Sequence, residues 1–320
     1  MLKRITVAGV VALGVAFSAY ANVDEYPNRT ITIVVPYNPG SSVDIMARML
    51  AEKVGKKLGE PIIVENHAGA SGQIGLNKVA RADPDGYTLG VGQITNLALA
   101  PLTFKEIPYD PLNDFDPVAQ IAENYLAIIA NNESGVKNVN DLIDFSRKSD
   151  LPPKLGSPSQ GGLPHLSVEI IAKDNDFEIV NVPYREIGSI VTDVASGQLD
   201  FGVSSYTSFE PAIRTGRVSL VGISLPDEQL PELSFIGDEI EGYSVPGWNG
   251  IVVPAGTDPE IIKTLNKEIN EAFKNEESQN ELRKLGLIPV FKTSEEFKDV
   301  IHGDYDKYKK LLDEIGYEPR

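Results

Sequence analysis

Cysteine is absent from this 320-residue chain, and histidine is scarce. Without cysteine there is no disulfide, no thiol nucleophile and no thiolate metal site, and no residue could carry a lipid at an export-signal junction. The three histidines, His67, His165 and His302, do not have the spacing of a metal-binding motif. We therefore expect no metal and no cofactor, and we interpret His67 and His165 as hydrogen-bonding or capping residues rather than catalysts.

The common catalytic motifs are missing as well. The chain has no G-x-S-x-G nucleophile elbow and no P-loop lysine, and GASGQIG at residues 69–75 lacks the G-x-G core of a dinucleotide-binding loop. Paired carboxylates such as Asp174 and Asp176 fall on polar faces, where exposure to solvent explains them. The sequence gives no positive evidence of catalysis, so we expect a protein that is not an enzyme.

Basic residues are few: 29 lysines and arginines are outnumbered by 46 aspartates and glutamates, for a formal net charge of -17. A chain this acidic is a poor candidate for binding nucleic acid or an anionic membrane surface. It could still hold a small anion if the site is built from local dipoles and hydroxyl groups rather than from net charge.

Long hydrophobic runs are absent except at the N-terminus. Lys3 and Arg4 precede an apolar run at residues 5–19, which ends in Ala-Tyr-Ala at residues 19–21. This run is short for a membrane span and is typical of a signal peptide, so we predict a signal peptide over residues 1–21, cleaved near Ala21. Its removal would leave 27 basic against 46 acidic residues, a net charge of -19. An uncleaved anchor is the alternative.

What the sequence does contain is a repeated strand–helix pattern. ITIVVP at residues 31–36 is typical of a buried strand, and an apolar stripe at helical spacing follows it: Val43, Met46, Leu50, Val54 and Leu58. A second such run begins near Tyr125. We predict an α/β fold of two lobes, each with a parallel-rich sheet and flanking helices. Lobe I would comprise residues 23–124 and 248–320, and lobe II residues 125–247, with Trp248 as a hinge or core residue. Residues 96–118 are predicted to be a connecting loop.

Two turns could hold an anion. In PYNPGSSVD, residues 36–44, and in GSPSQGGLPHL, residues 156–166, a strand is followed by serines and glycines and then by a helix. The first backbone N–H groups of a helix have no partner within it, and the helix dipole adds positive potential there. Such a turn can hold a carboxylate without lysine or arginine. Plain N-capping by serine is the alternative for both turns.

These stretches also resemble the substrate-binding proteins of tripartite tricarboxylate transporters, the Bug/TctC-type receptors. The similarity includes PIIVENHAGASGQIG, ADPDGYTL, VPYREIG and GIVVPAGTDPEIIKTLN, in that order along the chain. It implies a type II-like, Venus-flytrap binding protein of the periplasm that closes on a small carboxylate and delivers it to membrane permease subunits. Departures such as Ser41, Ser159, Gly162 and Pro164 leave the identity of the acid open.

The candidate site combines both turns with later strand ends. In lobe I the candidate ligand-binding residues are Tyr37, Asn38, Gly40, Ser41, Ser42, Gly69, Ser71 and Gln93. In lobe II they are Ser157, Ser159, Gln160, Gly161, His165, Tyr184 and Ser204.

Each candidate group has an expected role. Tyr37 would pack on the carbon skeleton of the ligand, and the amides and hydroxyls at residues 40–42 would hold one carboxylate. Lobe II would hold the distal end, and Asp44 would stabilise its own helix. We expect a monomer. A feeder of a membrane sensor and a secreted enzyme acting on a carboxylate are the alternative functions.

Overall fold

The computed structural model describes residues 26–319. The predicted signal peptide lies outside this range, as do the first residues of the predicted lobe I. Within the described range, no helix is both long enough and apolar enough to cross a membrane.

The strands form two sheets. The first sheet contains β1 (Ile31–Val35), β2 (Ile62–Asn66), β3 (Thr88–Gln93), β4 (Phe115–Asn124), β10 (Gly247–Pro254) and β11 (Ile288–Pro289). Its strand order is β11-β4-β10-β3-β1-β2. The second contains β5 (Leu126–Ala130), β6 (Lys154–Ser157), β7 (Val180–Pro183), β8 (Phe201–Ser205) and β9 (Ser219–Ile223). Its order is β7-β6-β8-β5-β9.

Helices flank both sheets. Those that follow strands of the first sheet are α1 (Ser42–Leu58), α2 (Gln73–Ala80), α3 (Ala100–Thr103), α8 (Pro259–Phe273), α9 (Glu276–Lys284) and α10 (Ser294–Glu314). Those between strands of the second sheet are α4 (Val139–Lys148), α5 (Leu163–Asp174), α6 (Ile187–Ala195) and α7 (Tyr206–Arg214). The predicted α/β fold with two lobes is confirmed.

The two sheets are mixed rather than mainly parallel. Strands β1, β2 and β3 are parallel to one another, as are β6, β7 and β8, but β4, β10 and β11 pair antiparallel in the first sheet, and β5 pairs antiparallel in the second. Three of these antiparallel strands connect the sheets: the chain leaves the first sheet by β4, enters the second by β5 and returns to the first by β10.

The predicted loop over residues 96–118 is wrong at both ends. Residues Thr95–Leu99 form a π-helical turn that continues into α3, and β4 begins at Phe115. Pro101 indicated a loop in the sequence, yet it lies in the first turn of α3, where the missing N–H of proline costs no hydrogen bond. Helix α7 was not predicted either, because Pro211 interrupts its pattern.

Helix α1 shows how the apolar stripe becomes core. Val43, Met46, Leu50 and Val54 are buried against the first sheet, while Leu58 is partly buried at the end of the helix. The helix ends at Gly59, whose φ of 77° is left-handed and whose N–H donates to the carbonyl of Gly55. Since glycine adopts this conformation without steric cost, the C-terminus of α1 is encoded locally.

The chain passes between the sheets at two neighbouring places. Only Tyr125 separates β4 of the first sheet from β5 of the second, and the return runs through residues 224–246 into β10. The buried hydroxyl of Ser224 joins these passages: it accepts from the N–H of Leu126 at 2.9 Å and donates to the carbonyl of Val245 at 2.8 Å. This strand membership supports the predicted lobe boundaries at residues 124/125 and 247/248, which remain a prediction.

Trp248, just after the return, packs in the core. Its ring meets that of Phe297 edge to face at 5.3 Å, and its Nε1 donates to Asp304 at 2.7 Å. The end of α10 then reaches the helices of the second sheet, where Glu314 pairs with Lys173 of α5. The C-terminal helix therefore contacts both lobes, a third connection that the sequence did not predict.

A glycine in β10 offers a test of this packing. A Cβ at Gly250 would lie 2.4 Å from the ring of Phe297 and 2.7 Å from the carbonyl oxygen of Ala119. We expect Gly250→Ala to lower the free energy of unfolding by about 1–3 kcal/mol through overpacking. Gly303→Ala is the matched control, because Gly303 is helical with open space around it; it should raise stability by about 0.5–1 kcal/mol. Urea unfolding measures both, and a neutral Gly250→Ala would contradict the packing.

Candidate ligand-binding cleft

A cavity of about 240 Å³ lies where the two sheets meet. Its walls include Gln93 and Thr95 after β3, Ser204 and Ser205 at the end of β8, and Leu163 and Pro164 at the start of α5. Ligands of α/β proteins bind at the carboxyl ends of parallel strands, and both lobes present such ends here. The cavity is thus lined by both lobes, and Gln93 and Ser204 are the predicted site residues that line it.

Gln93 and Ser204 differ in how far their polar groups are engaged. The side-chain Nε2 of Gln93 donates to Oδ1 of Asn249, and its backbone N–H donates to Oδ1 of Asn96 at 2.8 Å. Ser204 is 4% exposed, and its hydroxyl has no hydrogen-bond partner within residues 26–319. Ser204 therefore keeps a full donor and acceptor for a ligand, whereas Gln93 offers its remaining amide atoms in a fixed orientation.

The turn after β1 is organised by a carboxylate. Oδ2 of Asp44 accepts from the N–H of Gly40 at 2.8 Å and from Nε of Arg48 at 3.1 Å, and Oδ1 accepts from Nδ2 of Asn66 at 2.8 Å. Burial raises the pKa of Asp44, but these hydrogen bonds outweigh it, and the pKa lies below its ordinary value. Asp44 therefore stabilises its own turn, as the sequence predicted.

This arrangement corrects the expected carboxylate cradle at residues 40–42. The N–H of Gly40 is used by Asp44, and the hydroxyl of Ser41 caps α1 by accepting from the N–H of Asp44 at 3.2 Å. The hydroxyl of Ser42 has no partner in the described part of the chain. Since Ser42 and Val43 open α1, their N–H groups have no acceptor within the helix. The free N–H groups of this turn are therefore those of Ser42 and Val43, whereas the sequence predicted those of residues 40–42.

Tyr37 is fixed within lobe I. Its hydroxyl accepts from Nδ2 of Asn96 at 3.3 Å, so its own proton remains available for donation. Burial and the neighbouring Tyr109 raise the pKa of Tyr37 well above its ordinary value, which keeps the phenol protonated. Contact between Tyr37 and the carbon skeleton of a ligand stays a prediction, as does a role for the exposed Asn38.

The loop between β2 and α2 has an unusual backbone. Gly69, Ala70, Ser71 and Gly72 all have positive φ, between 47° and 129°, which is strained for Ala70 and Ser71. Gly72 cannot carry a side chain, because a Cβ would lie 2.8 Å from Nδ2 of Asn96. The predicted residues Gly69 and Ser71 are exposed on this loop, at the carboxyl end of the strand next to β1.

The second turn, at residues 157–162, is braced internally. The hydroxyl of Ser157 donates towards Oδ1 of Asn181 at 2.6 Å, and Nδ2 of Asn181 donates to Oε1 of Gln160 at 2.6 Å. The hydroxyl of Ser159 lies against Gly162, where a Cβ would be only 2.1 Å from it. Ser157 and Gln160 therefore form hydrogen bonds with Asn181, a partner that the local sequence pattern did not reveal.

His165 is also turned inward. Its Nδ1 accepts from the N–H of Gly161 at 3.1 Å, and its Nε2 lies 2.9 Å from Oε1 of Glu169. The side chain is 2% exposed, and both of its ring nitrogens have hydrogen-bond partners. The expectation that His165 and the N–H of Gly161 face a ligand is therefore not supported; they hold the turn to the first turns of α5. Gln160 and His165 instead line a separate cavity of about 430 Å³, together with C-terminal residues such as Tyr317.

Tyr184 is engaged on lobe II as well. Its hydroxyl donates to Oδ2 of Asp193 at 2.5 Å, and this hydrogen bond, with burial and the charge of Asp193, raises the pKa of Tyr184 to about 12.

The sequence did not predict five residues that line the cavity or hold its lining in place: Thr95, Asn96, Asn124, Ser205 and Asn249. Thr95 follows β3 and Ser205 ends β8, so their places in the chain could have revealed them, but Asn96, Asn124 and Asn249 required the tertiary structure.

Within residues 26–319, no group of three or more histidine, aspartate or glutamate side chains could hold a metal ion. The residues that line the cavity supply neutral donors and acceptors at strand ends, and the turn before α1 carries further free donors. Over residues 46–317 the sequence matches the model of the family described as "Tripartite tricarboxylate transporter family receptor". The chain belongs to this receptor family.

Relatives of this receptor span nearly its whole length. BugT of Bordetella pertussis is 28% identical over 322 residues, covering 99% of this chain and 98% of its own. A UPF0065 protein of Bordetella bronchiseptica is 32% identical over 272 residues, covering 84% and 80%. The resemblance seen in the sequence is confirmed.

Solved structures of similar proteins carry small acids. An R. palustris protein with adipate has a TM-score of 0.76 and 26% identity, covering 92% of this receptor and 100% of its own chain. MatC from Rhodopseudomonas palustris with bound malate has a TM-score of 0.70 and 26% identity, covering 90% and 100%.

The carboxylate of Asp44 gives this turn a pH dependence. Because its folded-state pKa is lowered, its contribution to stability is present above the unfolded-state pKa of about 3.9 and is lost as the pH falls through the folded-state value. We expect Asp44→Asn to lower the free energy of unfolding at pH 7 by about 1–3 kcal/mol, with a difference from wild type that shrinks below about pH 4.

Chemical denaturation at both pH values measures this effect. Asp144→Asn is the control, because Asp144 pairs with Lys148 on the surface of α4 and its removal should change little. An Asp44→Asn variant as stable as wild type at pH 7 would show that the carboxylate does not organise the turn.

Proposed function

We propose that this receptor is a periplasmic solute-binding protein that captures a small carboxylate between its lobes and delivers it to the permease subunits of a tripartite transporter. The observation that carries the proposal is the cavity of about 240 Å³ lined by polar groups from both lobes, Gln93 and Thr95 on one side and Ser204 and Ser205 on the other. A ligand there touches both lobes and therefore favours the arrangement in which they are close.

The donor set fits an acid better than a base. The free groups are the hydroxyls of Ser42 and Ser204, the phenolic proton of Tyr37 and the N–H groups that open α1. Hydrogen bonds from such groups to a carboxylate are short and strong, and the dipole of α1 adds positive potential. The similar proteins whose structures contain adipate and malate support dicarboxylates as the first class to examine.

The same geometry favours binding without turnover. Among the residues that line the cavity there is no histidine, lysine, aspartate or glutamate that could act as a general base on a bound acid. We infer a monomer that is open without ligand and closed with it, with the lobes at residues 23–124 plus 248–320 and 125–247, exported by the signal peptide at residues 1–21. Closure would then be a hinge motion about the passages at Tyr125 and Trp248.

A thermal-shift screen tests the ligand class. Malate, adipate, other di- and tricarboxylates, aromatic acids and amino acids are compared at increasing concentration. A true ligand at one hundred times its dissociation constant should add about 2.7 kcal/mol to the free energy of unfolding. The acid should be recovered unchanged by NMR after incubation, since turnover would indicate an enzyme. A screen in which amines or sugars stabilise the protein and no acid does would contradict the proposal.

Substitution of two adjacent serines distinguishes ligand binding from helix capping. Ser42→Ala removes a free hydroxyl, so it should weaken binding of the best acid about tenfold or more and leave the free energy of unfolding unchanged. Ser41→Ala removes the cap of α1, so it should cost about 1 kcal/mol of stability and affect affinity less. Calorimetric titration and urea unfolding measure both variants. Full affinity in Ser42→Ala would mean that the acid does not contact this turn.

A further inference from the structure

The passage between the sheets at residues 124–126 has a cavity on each side. Asn124 and Leu126 line the ligand cleft, whereas Tyr125 lines a second cavity of about 460 Å³. Successive residues of an extended chain point to opposite sides, so the second cavity lies behind the joint, away from the cleft. We call it the back cavity.

The back cavity is bordered by segments that belong to different lobes. Asp227 and Leu230 follow β9 of the second sheet, and Arg283 and Gly286 lie at the end of α9 and just after it. Helix α9 leads into β11, which pairs with β4 of the first sheet. Contacts across this cavity therefore connect lobe I to lobe II.

Two contacts bridge the lobes at this place. Nη1 of Arg283 lies 3.1 Å from Oδ1 of Asp227, with side chains only 23% and 8% exposed, so water and salt screen the pair weakly. Gly286 lies directly against Thr207 of α7, where a Cβ on the glycine would be 2.3 Å from Cγ2 of the threonine. The lobes thus already touch behind the joint, and this ion pair and this close van der Waals contact are two of the contacts between them.

We propose that the Arg283–Asp227 pair is a latch that resists closure of the ligand cleft. When two lobes rotate about a joint so that one side closes, groups on the opposite side move apart. Closing the cleft must therefore stretch or break this ion pair, and the acid must supply that free energy on binding. The latch rests on the lobe motion of the proposed function, but it concerns residues that do not touch the acid.

The Arg283–Asp227 pair therefore influences the affinity for the acid although it lies outside the ligand cleft. The apparent dissociation constant of a protein that binds in one conformation increases as that conformation becomes less populated. Removal of the latch should raise the closed-to-open ratio on the order of fivefold, the lower end of typical conformational couplings. Arg283→Gln and Asp227→Asn each remove one charge with little change in shape, and Asp227→Asn keeps an oxygen that can accept from the N–H of Gln229, as Oδ1 of Asp227 does.

The absence of cysteine makes the motion directly measurable. Ala68→Cys and Ser189→Cys place spin labels at exposed positions beyond β2 and within α6, on opposite lobes. Double electron–electron resonance then gives the distance between the two labels across the cleft without any ligand. In this background we expect Arg283→Gln and Asp227→Asn to increase the population at short distances. The double variant should resemble either single variant, because both charges act through one pair.

Glu281→Gln is the matched control. Glu281 lies on the same helix as Arg283 and its Oε2 is 3.1 Å from Nζ of Lys53, but Lys53 is in α1, so both partners belong to lobe I. This variant should leave the distance distribution unchanged. Arg283→Gln and Asp227→Asn variants with wild-type melting behaviour and distributions equal to or longer than wild type would overturn the latch. Because no ligand is present, that result is independent of whether any acid binds.

Discussion

The hydroxyl of Ser224 is the point on which the arrangement of the two lobes depends. It accepts from Leu126 on the outward passage and donates to Val245 on the return, and the backbone of Ser224 exchanges hydrogen bonds with the same two residues. Buried polar groups must be paired, so this residue ties two passages that are distant in sequence into one joint. As a result, the ends of β3 and β8 lie on either side of the joint and enclose the cleft.

The proposed binding of an acid by this acidic protein agrees with a cleft whose donors are neutral. None of the residues that line the cavity is charged. Arg48, whose guanidinium contacts the first turn, is already paired with Asp44. In the proposed site, positive potential comes instead from the N-terminus of α1 and from oriented hydroxyl groups, which act over short distances. The negative net charge of the chain therefore lowers the electrostatic potential around the site more than the potential within it.

The sequence predicted the framework of the molecule better than the roles of single residues. The stripe of Val43, Met46, Leu50 and Val54 predicted the buried face of α1 correctly, because helical spacing depends on local geometry alone. In the turns, by contrast, Ser41 and Ser157 matched a binding pattern and serve as cap and brace. Capping and anion binding need the same residue types in the same place, so only the positions of Asp44, Asn181 and Glu169 could separate them. The contact of α10 with both lobes was hidden for a similar reason, since Lys173 and Glu314 are distant in sequence.

Binding of an acid between the lobes can be tested by the crystal structure of the protein with the acid that stabilises it most, compared with the structure without it. We expect the acid in the cavity between Gln93 and Ser204, one carboxylate at the N–H groups that open α1, and lobes closer together than without the acid. An acid bound to one lobe alone, or lobes that do not move, would contradict this expectation.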